Sequence, residues 1–284
     1  ESDAHTSYPL SSIVWTGKTA YSDVIIADSP TYGRMLFLDG ECQSASADEA
    51  IYHESLVHPI MTTMQGQNKH VLVVGGGEGA TVREVLKWAN VSTVMWVDID
   101  ETLVNLCKEH LRWAPNVYTD PRVQYIPADI KNVISELGHF DVVILDLPDP
   151  DDNGYLYSVP FWKDIKSILT PNGSIVSHVG PVRPFGNIGS GLQRVCKNSS
   201  LAGIESWVSG IYQICIPSFQ GTWGFWISGP MPFTNIKNIN LPLLNVVDKE
   251  QIKQWMYPGL IWRTALESQR YLGYIYGACL QDSR

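Results

Sequence analysis

Four acids follow apolar runs in this chain: Glu78, Asp98, Asp129 and Asp146. The first two frame a single unit. His70-Val71-Leu72-Val73-Val74 leads into Gly75-Gly76-Gly77-Glu78-Gly79-Ala80, then a helical stretch from Thr81 to Trp88, then a second apolar run ending on Asp98, 21 residues past Gly77. Strand, glycine turn, helix and strand make a βαβ unit that binds a nucleoside. Gly75 and Gly77 let backbone approach a ligand and expose amides at the next helix. A carboxylate at position 98 can accept both ribose hydroxyl protons. Gly75-x-Gly77-x-x-Ala80 also fits a dinucleotide fingerprint, so a nicotinamide-dependent dehydrogenase is a rival. Glu78 separates the two: inside the loop it repels a pyrophosphate and welcomes a cation. S-adenosylmethionine and its decarboxylated form carry a sulfonium and no phosphate, and suit such a loop.

Asp146-Leu147-Pro148-Asp149-Pro150 is the second candidate. Two carboxylates on a proline-stiffened turn make a fixed negative pocket. An alkylammonium group, with a pKa of about 10, must lose a proton before its lone pair can attack, and a carboxylate within reach can take it. Asp129 is placed to accept the adenine exocyclic amine. Asp151 and Asp152 read as a solvated loop. Trp88 and Trp96 read as packing against the sheet, whereas Trp223, near Phe219, could make a cation–π contact with a polyamine. His53 and His58 are five apart on a helix and do not share a face, which argues against a metal pair. Glu54 and His58, four apart, could pair electrostatically. Arg83 is expected to point into its helix, and Cys42, with no basic neighbour in sequence, to be an inert thiol.

These side chains need a scaffold. The 284 residues, 44% hydrophobic, can bury a sizeable core. Three short strands (Ile13 to Trp15, Asp23 to Ala27, Arg34 to Leu38) are separated by turn chemistry, and a helical pattern follows from Ala47 to Met64, with Asp48 and Glu49 in its first turn. After Asp98 come a helix from Glu101 to Leu111 with Leu103, Leu106, Cys107 and Leu111 on one face, a strand from Val123, a buried strand Phe140 to Leu145, and a strand Ser174 to Ser177. A helix around Gly189 to Cys196 and two antiparallel strands within 206–228 complete it. The fold class is α/β: a Rossmann-like, doubly wound, mostly parallel seven-stranded sheet of the S-adenosylmethionine-dependent methyltransferase type. Residues 1–46 form a small N-terminal antiparallel β domain. Residues 47–284 form the catalytic domain with a C-terminal helical tail.

A net charge of −9 argues against nucleic acid and suits a cationic substrate. Five scattered cysteines without a Cys-x-x-Cys pair read as reduced thiols. With no apolar run near the 18 or so residues of a membrane span and no signal pattern, a cytoplasmic protein without membrane partners is expected.

The Gly75 to Ala80 loop, Asp48-Glu49-Ala50-Ile51-Tyr52-His53-Glu54 and Asp146-Leu147-Pro148-Asp149-Pro150 resemble the signature segments of the polyamine aminopropyltransferases, the spermidine and spermine synthase family. The resemblance spans roughly residues 12 to 228. Within the family, Glu78, Pro171-Asn172-Gly173, Gly180-Pro181, Pro217-Ser218-Phe219 and Thr222-Trp223-Gly224 look most like the thermospermine synthase branch. The resemblance implies transfer of an aminopropyl group from decarboxylated S-adenosylmethionine, a co-substrate, to a polyamine, with release of methylthioadenosine. No permanently bound cofactor and no metal are implied. Asp146 would be the base, Glu78 the ligand of the donor amine, Asp98 that of the ribose and Asp129 that of the adenine. Gln43 would line the donor, Tyr52 and His53 the substrates, and Asp149 the acceptor amine. Phe219 stands where spermidine synthases carry tyrosine, and His178 where glutamine is usual. Both disfavour putrescine and favour a longer triamine, spermidine, giving spermine or thermospermine. A homo-oligomer, dimer or tetramer, is expected. The alternatives are an amine N-methyltransferase on the same scaffold, a spermidine synthase and a non-catalytic binder.

Overall fold

The apolar run at 71–74 is buried on both sides of one sheet. In the computed structural model, which describes residues 6–64, 66–150, 154–182, 189–204, 208–229 and 241–255, β5 (Lys69–Gly75) lies inside a seven-stranded sheet. It pairs in parallel with β6 (Val91–Asp98) on one edge and β8 (Phe140–Asp146) on the other. The order is β10-β11-β9-β8-β5-β6-β7, with β7 at Val123–Pro127, β9 at Leu169–Pro181, β10 at Val208–Ile216 and β11 at Gly221–Gly229. Strand β11 is antiparallel to both β10 and β9, and the other pairings are parallel, so the sheet is mostly parallel with an antiparallel end, as expected from sequence.

Side chains alternate across this sheet, so each apolar run feeds two cores. Leu72 and Val74 pack with α5 (Val159–Ser167) and α6 (Ser190–Leu201); Val71 and Val73 pack with α1 (Glu49–Met61) and α2 (Ala80–Leu86). Trp96 is fully buried and its indole N–H donates to the Gly75 carbonyl at 2.9 Å. Helix α1 carries Pro59, which has no N–H for the Ser55 carbonyl four residues earlier. The Tyr212 hydroxyl takes that carbonyl at 2.7 Å, tying α1 to β10.

The N-terminal region has four antiparallel strands, not three: β1 (Ser12–Lys18), β2 (Asp23–Ser29), β3 (Gly33–Leu38) and β4 (Glu41–Ala45). The sequence Glu41-Cys42-Gln43-Ser44-Ala45 has no apolar alternation, and pairing with β3 makes it a strand. Helix α3 (Glu101–His110) turns Leu103, Leu106, Cys107 and Leu111 toward Val24, Ile26 and Leu36 of this sheet. The N-terminal sheet is thus seated on the larger unit through α3. Arg34 reinforces the contact, pairing with Asp28 and donating to the His110 carbonyl.

At the other end, α7 (Lys249–Trp255) stacks Trp255 on Tyr212, with centroids 5.1 Å apart. The expected pairing of Glu54 with His58 does not form. The buried Glu54 carboxylate accepts the N–H groups of Asn245, Val246 and Val247 at 2.7 to 2.9 Å, fastening the segment before α7. His58 instead contacts Glu84 at 2.8 Å and accepts from the Trp88 indole. Asp151, Asp152 and most of the tail beyond residue 230 lie outside the described residues.

Candidate active site

The chain leaves β5 for β6 and β7 on one side and returns to β8 and β9 on the other, so a crevice opens beyond the strands' carboxyl ends between β5 and β8. Asp146 closes β8 directly beside Gly75, its parallel partner. A Cβ at Gly75 would lie 2.0 Å from the Asp146 carbonyl oxygen, and one at Gly76 would lie 2.7 Å from Asp146 Oδ2. Both glycines have positive φ, +82° and +70°. The close approach they permit is therefore partly to the protein's own carboxylate. Gly77 faces Asp98 instead, with a Cβ position 3.4 Å from Asp98 Oδ2.

Asp146 receives two hydroxyls: Tyr52 donates to Oδ1 at 2.7 Å and Thr81 to Oδ2 at 2.6 Å. Tyr52 comes from α1, while Thr81 lies in the first turn of α2, just after the glycine loop. The two donors fix the plane of the carboxylate and leave lone pairs on both oxygens for a further donor.

Asp98 sits at the tip of β6, 8% exposed, and accepts the Asp100 N–H at 2.8 Å. Burial pushes its carboxyl up to about 7; the Asp100 N–H works against this, and the charges of Asp100, Glu78 and Asp146 add to it. Three of the four strand-end acids thus share one electrostatic field. Asp129, beyond β7, stands apart from that group: its side chain caps α4 (Ile130–Val133), accepting the Lys131 N–H at 2.9 Å. Its place at the neighbouring strand end is retained through the Ala128 N–H, which bonds the Asp98 carbonyl.

Glu78 is balanced from behind. His53, 1% exposed, places Nε2 3.3 Å from Glu78 Oε1, a charge contact without hydrogen-bond alignment, and Nδ1 2.8 Å from Glu49 Oε2. Burial lowers the pKa of this ring, yet Glu49 and Glu78 outweigh that and raise it to about 10, so an imidazolium lies between two carboxylates. Glu49 in turn binds Arg83 through both oxygens at 3.0 and 2.8 Å; burial works against its charge, but His53 and Arg83 hold its carboxyl at about 2. Arg83 does not point into its helix: it spans Glu49, Glu84 and the Trp113 carbonyl. His53 consequently reaches the crevice through Glu78 rather than as an exposed lining residue.

The other wall is aromatic. Tyr52, Phe219 and Trp223 form a row, with centroids 6.0 Å between Tyr52 and Phe219 and 4.8 Å between Phe219 and Trp223. His178, from β9, lies 6.1 Å from Tyr52; its Nε2–H donates to the Leu147 carbonyl and its buried Nδ1 is 3.6 Å from Asp149. Asp149 has a half-exposed side chain and stands at the mouth of the crevice, close to Gly180. Gln43 is exposed on β4, its amide turned to the Glu41 carbonyl, and no described contact joins it to the other candidates. Cys42 is unpaired, and burial together with the Asp48 charge pushes its thiol up to about 12, in keeping with an inert group.

Thr81, Glu49 and Arg83 are the contributors that sequence reasoning passed over or misplaced. Thr81 carries no local signal, since its partner is 65 residues away and only the β5–β8 pairing brings them together. Glu49 was visible as a helix-start acid, a role in which the dipole alone explains it.

Comparison with known proteins gives a consistent picture. Residues 49–238 match the family model described as a spermine/spermidine synthase domain, and residues 2–45 match a spermidine synthase tetramerisation domain. The chain is 36% identical over 233 residues to a polyamine aminopropyltransferase of Aeropyrum pernix, covering 78% of this chain and 71% of that one. It is 35% identical over 255 residues to the polyamine aminopropyltransferase of Sulfolobus acidocaldarius, covering 87% and 80%. Among solved structures, spermidine synthase from Thermotoga maritima superposes with a TM-score of 0.76 at 22% identity, covering 92% of this chain and 89% of that one. A spermidine synthase in complex with the transition state analogue AdoDATO gives 0.77 at 23% identity, covering 92% and 90%.

Proposed function

Because this chain belongs to the spermine/spermidine synthase family, we propose that it is an aminopropyltransferase that moves the aminopropyl group of decarboxylated S-adenosylmethionine onto spermidine. The amine nitrogen attacks the aminopropyl carbon next to sulfur, the carbon–sulfur bond breaks, and its electron pair stays on sulfur, so neutral methylthioadenosine leaves. The proton lost by the amine goes to Asp146. In this reading Asp98 holds the ribose above Gly75 and Gly77, Asp129 and Gln43 contact the nucleoside's outer parts, and Glu78 holds the donor's amine. His53 keeps Glu78 in place. Tyr52, His178, Phe219, Trp223 and Asp149 receive the polyamine.

The observation that carries this proposal is the placement of Asp146 between the glycine loop and the Tyr52 wall, held by two hydroxyl donors. A methyltransferase using intact S-adenosylmethionine would need a cation for the donor's carboxylate. Arg83, the cation nearest the loop in sequence, is already spanned by Glu49, Glu84 and a carbonyl, which favours the decarboxylated donor. Phe219 and His178 reduce the polar partners for a short diamine, which favours spermidine over putrescine and makes spermine or thermospermine the product. We further assign residues 1–46 as a β-strand domain through which the protein forms a homo-oligomer, and residues 47–284 as the catalytic domain.

Incubation with either donor and with putrescine, spermidine or norspermidine, followed by chromatography, tests the assignment. Methylthioadenosine and a tetraamine are expected from decarboxylated donor and spermidine. Formation of S-adenosylhomocysteine from the intact donor instead would overturn it.

A further inference from the structure

The turn Pro217–Phe219 between β10 and β11 is held by residues distant in sequence. The Ser218 N–H donates to Asp48 Oδ2 at 2.7 Å, the Tyr8 hydroxyl donates to the Ser218 carbonyl at 2.7 Å, and the Tyr32 hydroxyl reaches the Pro217 carbonyl at 3.4 Å. All three anchors precede α1. Asp48 is the residue just before that helix, yet its side chain makes no capping bond to it. It is 5% exposed, and its Oδ1 has no hydrogen-bond partner. A carboxylate withdrawn from water is costly unless something compensates it, and a residue at this place ordinarily turns to the free amides of its own helix. Here the carboxylate serves a turn 170 residues away.

What the turn presents is Phe219, whose ring lies against Tyr52 and Trp223, and Tyr52 donates to Asp146. The anchors therefore set the aromatic wall rather than the nucleoside side: no described contact links Asp48, Tyr8 or Tyr32 to Glu78 or Asp98. We infer that Asp48, supported by Tyr8, is a positioning residue for the amine acceptor, holding Phe219 at the depth that selects a triamine over a diamine. The inference rests on the aminopropyltransferase reading for its substrates, but the anchoring itself does not. A misplacement of about 1 Å can change a rate by about 100-fold, so one lost anchor is enough to be measured.

The experiment compares full-length Asp48→Ala, Asp48→Asn and Tyr8→Phe with the wild type. Asparagine keeps an oxygen that can accept the Ser218 N–H, so Asp48→Asn is expected to behave as the wild type. In Asp48→Ala, amide hydrogen exchange over 218–223 is expected to quicken about tenfold, and the spermidine-to-putrescine ratio of kcat/KM to fall about tenfold through the acceptor KM, with methylthioadenosine affinity unchanged. Tyr8→Phe removes one anchor without touching the buried charge. It is expected to shift the same ratio about threefold, and it serves if Asp48→Ala does not fold. An unchanged ratio in both variants would overturn the inference. So would an equal loss for every acceptor accompanied by weaker methylthioadenosine binding, the pattern of general destabilisation. If the wild type transfers no aminopropyl group to any amine, the proposed function fails, and the acceptor role with it; hydrogen exchange still decides separately whether Asp48 holds the turn.

Discussion

Glu78 and Asp98 reach the crevice from a single βαβ unit, whereas Tyr52, Asp149, His178 and Phe219 come from α1, the loop after β8, β9 and the turn before β11. The first group is assembled by local geometry: a parallel strand pair, a loop that glycine allows, and a carboxylate at a strand tip. The second is assembled by long-range contacts, each dependent on another element staying in place. Charge divides the same way. The side proposed to take the nucleoside gathers acids and offsets Glu78 with a buried imidazolium, while the side proposed to take the amine is mostly aromatic with one half-exposed acid at its mouth. A side built locally should tolerate distant substitutions, and a side built from afar should not. Asp146 stands on the seam and touches both.

The division can be broken most forcefully at that seam. Asp146→Asn keeps the shape but loses the carboxylate proposed to accept the proton; transfer is expected to fall about 1,000-fold in single-turnover kinetics, with methylthioadenosine affinity by calorimetry nearly unchanged. Loss of nucleoside binding as well would mean that the two sides are not separable.

Behind the nucleoside side, Glu49→Gln would leave Arg83 and the His53 imidazolium short of a buried partner. Chemical denaturation is expected to show a loss of about 3 kcal/mol. The pH dependence sharpens this. His53 has a folded pKa raised to about 10, so its contribution to stability is full below about 6.5, its unfolded value, and is lost as pH rises through about 10. In Glu49→Gln the folded value is lower, so the contribution is expected to be smaller and its loss to be complete at a lower pH.

A smaller effect distinguishes the nucleoside side alone. Asp98 has its carboxyl pushed up to about 7, and the ionised form is the better acceptor for ribose hydroxyls. Methylthioadenosine is therefore expected to bind roughly tenfold tighter at pH 8 than at pH 6, following the ionised fraction, and the dependence should vanish in Asp98→Asn. On the amine side, Phe219→Tyr adds a hydroxyl to the acceptor wall. It is expected to improve kcat/KM for putrescine a few-fold while leaving the donor KM alone, a change of under about 1 kcal/mol.

The nucleoside side was legible because strand, glycine loop and strand-end acid are neighbours in sequence, and periodicity reports neighbours. Asp98, Glu78 and Asp146 could be placed at strand ends from apolar runs alone, and the seven-stranded sheet followed from the same alternation. Asp129 was also placed at a strand end, but its cap on α4 is a local bond that the strand pattern does not reveal. Strand β4 escaped notice because its residues become a strand only by pairing with β3.

What the chain's order of residues determined by itself is a set of elements and the ends at which their acids stand, since a residue's propensity and the period of its neighbours act over a few residues. Tertiary structure decided which partners those acids received. The Glu54 carboxylate went to three backbone N–H groups near residue 246 rather than to His58, Arg83 went to Glu49, and Asp48 left its own helix for Ser218. A buried charge is settled by whichever donors packing brings within about 3 Å, and those donors lie up to 193 positions away along the chain.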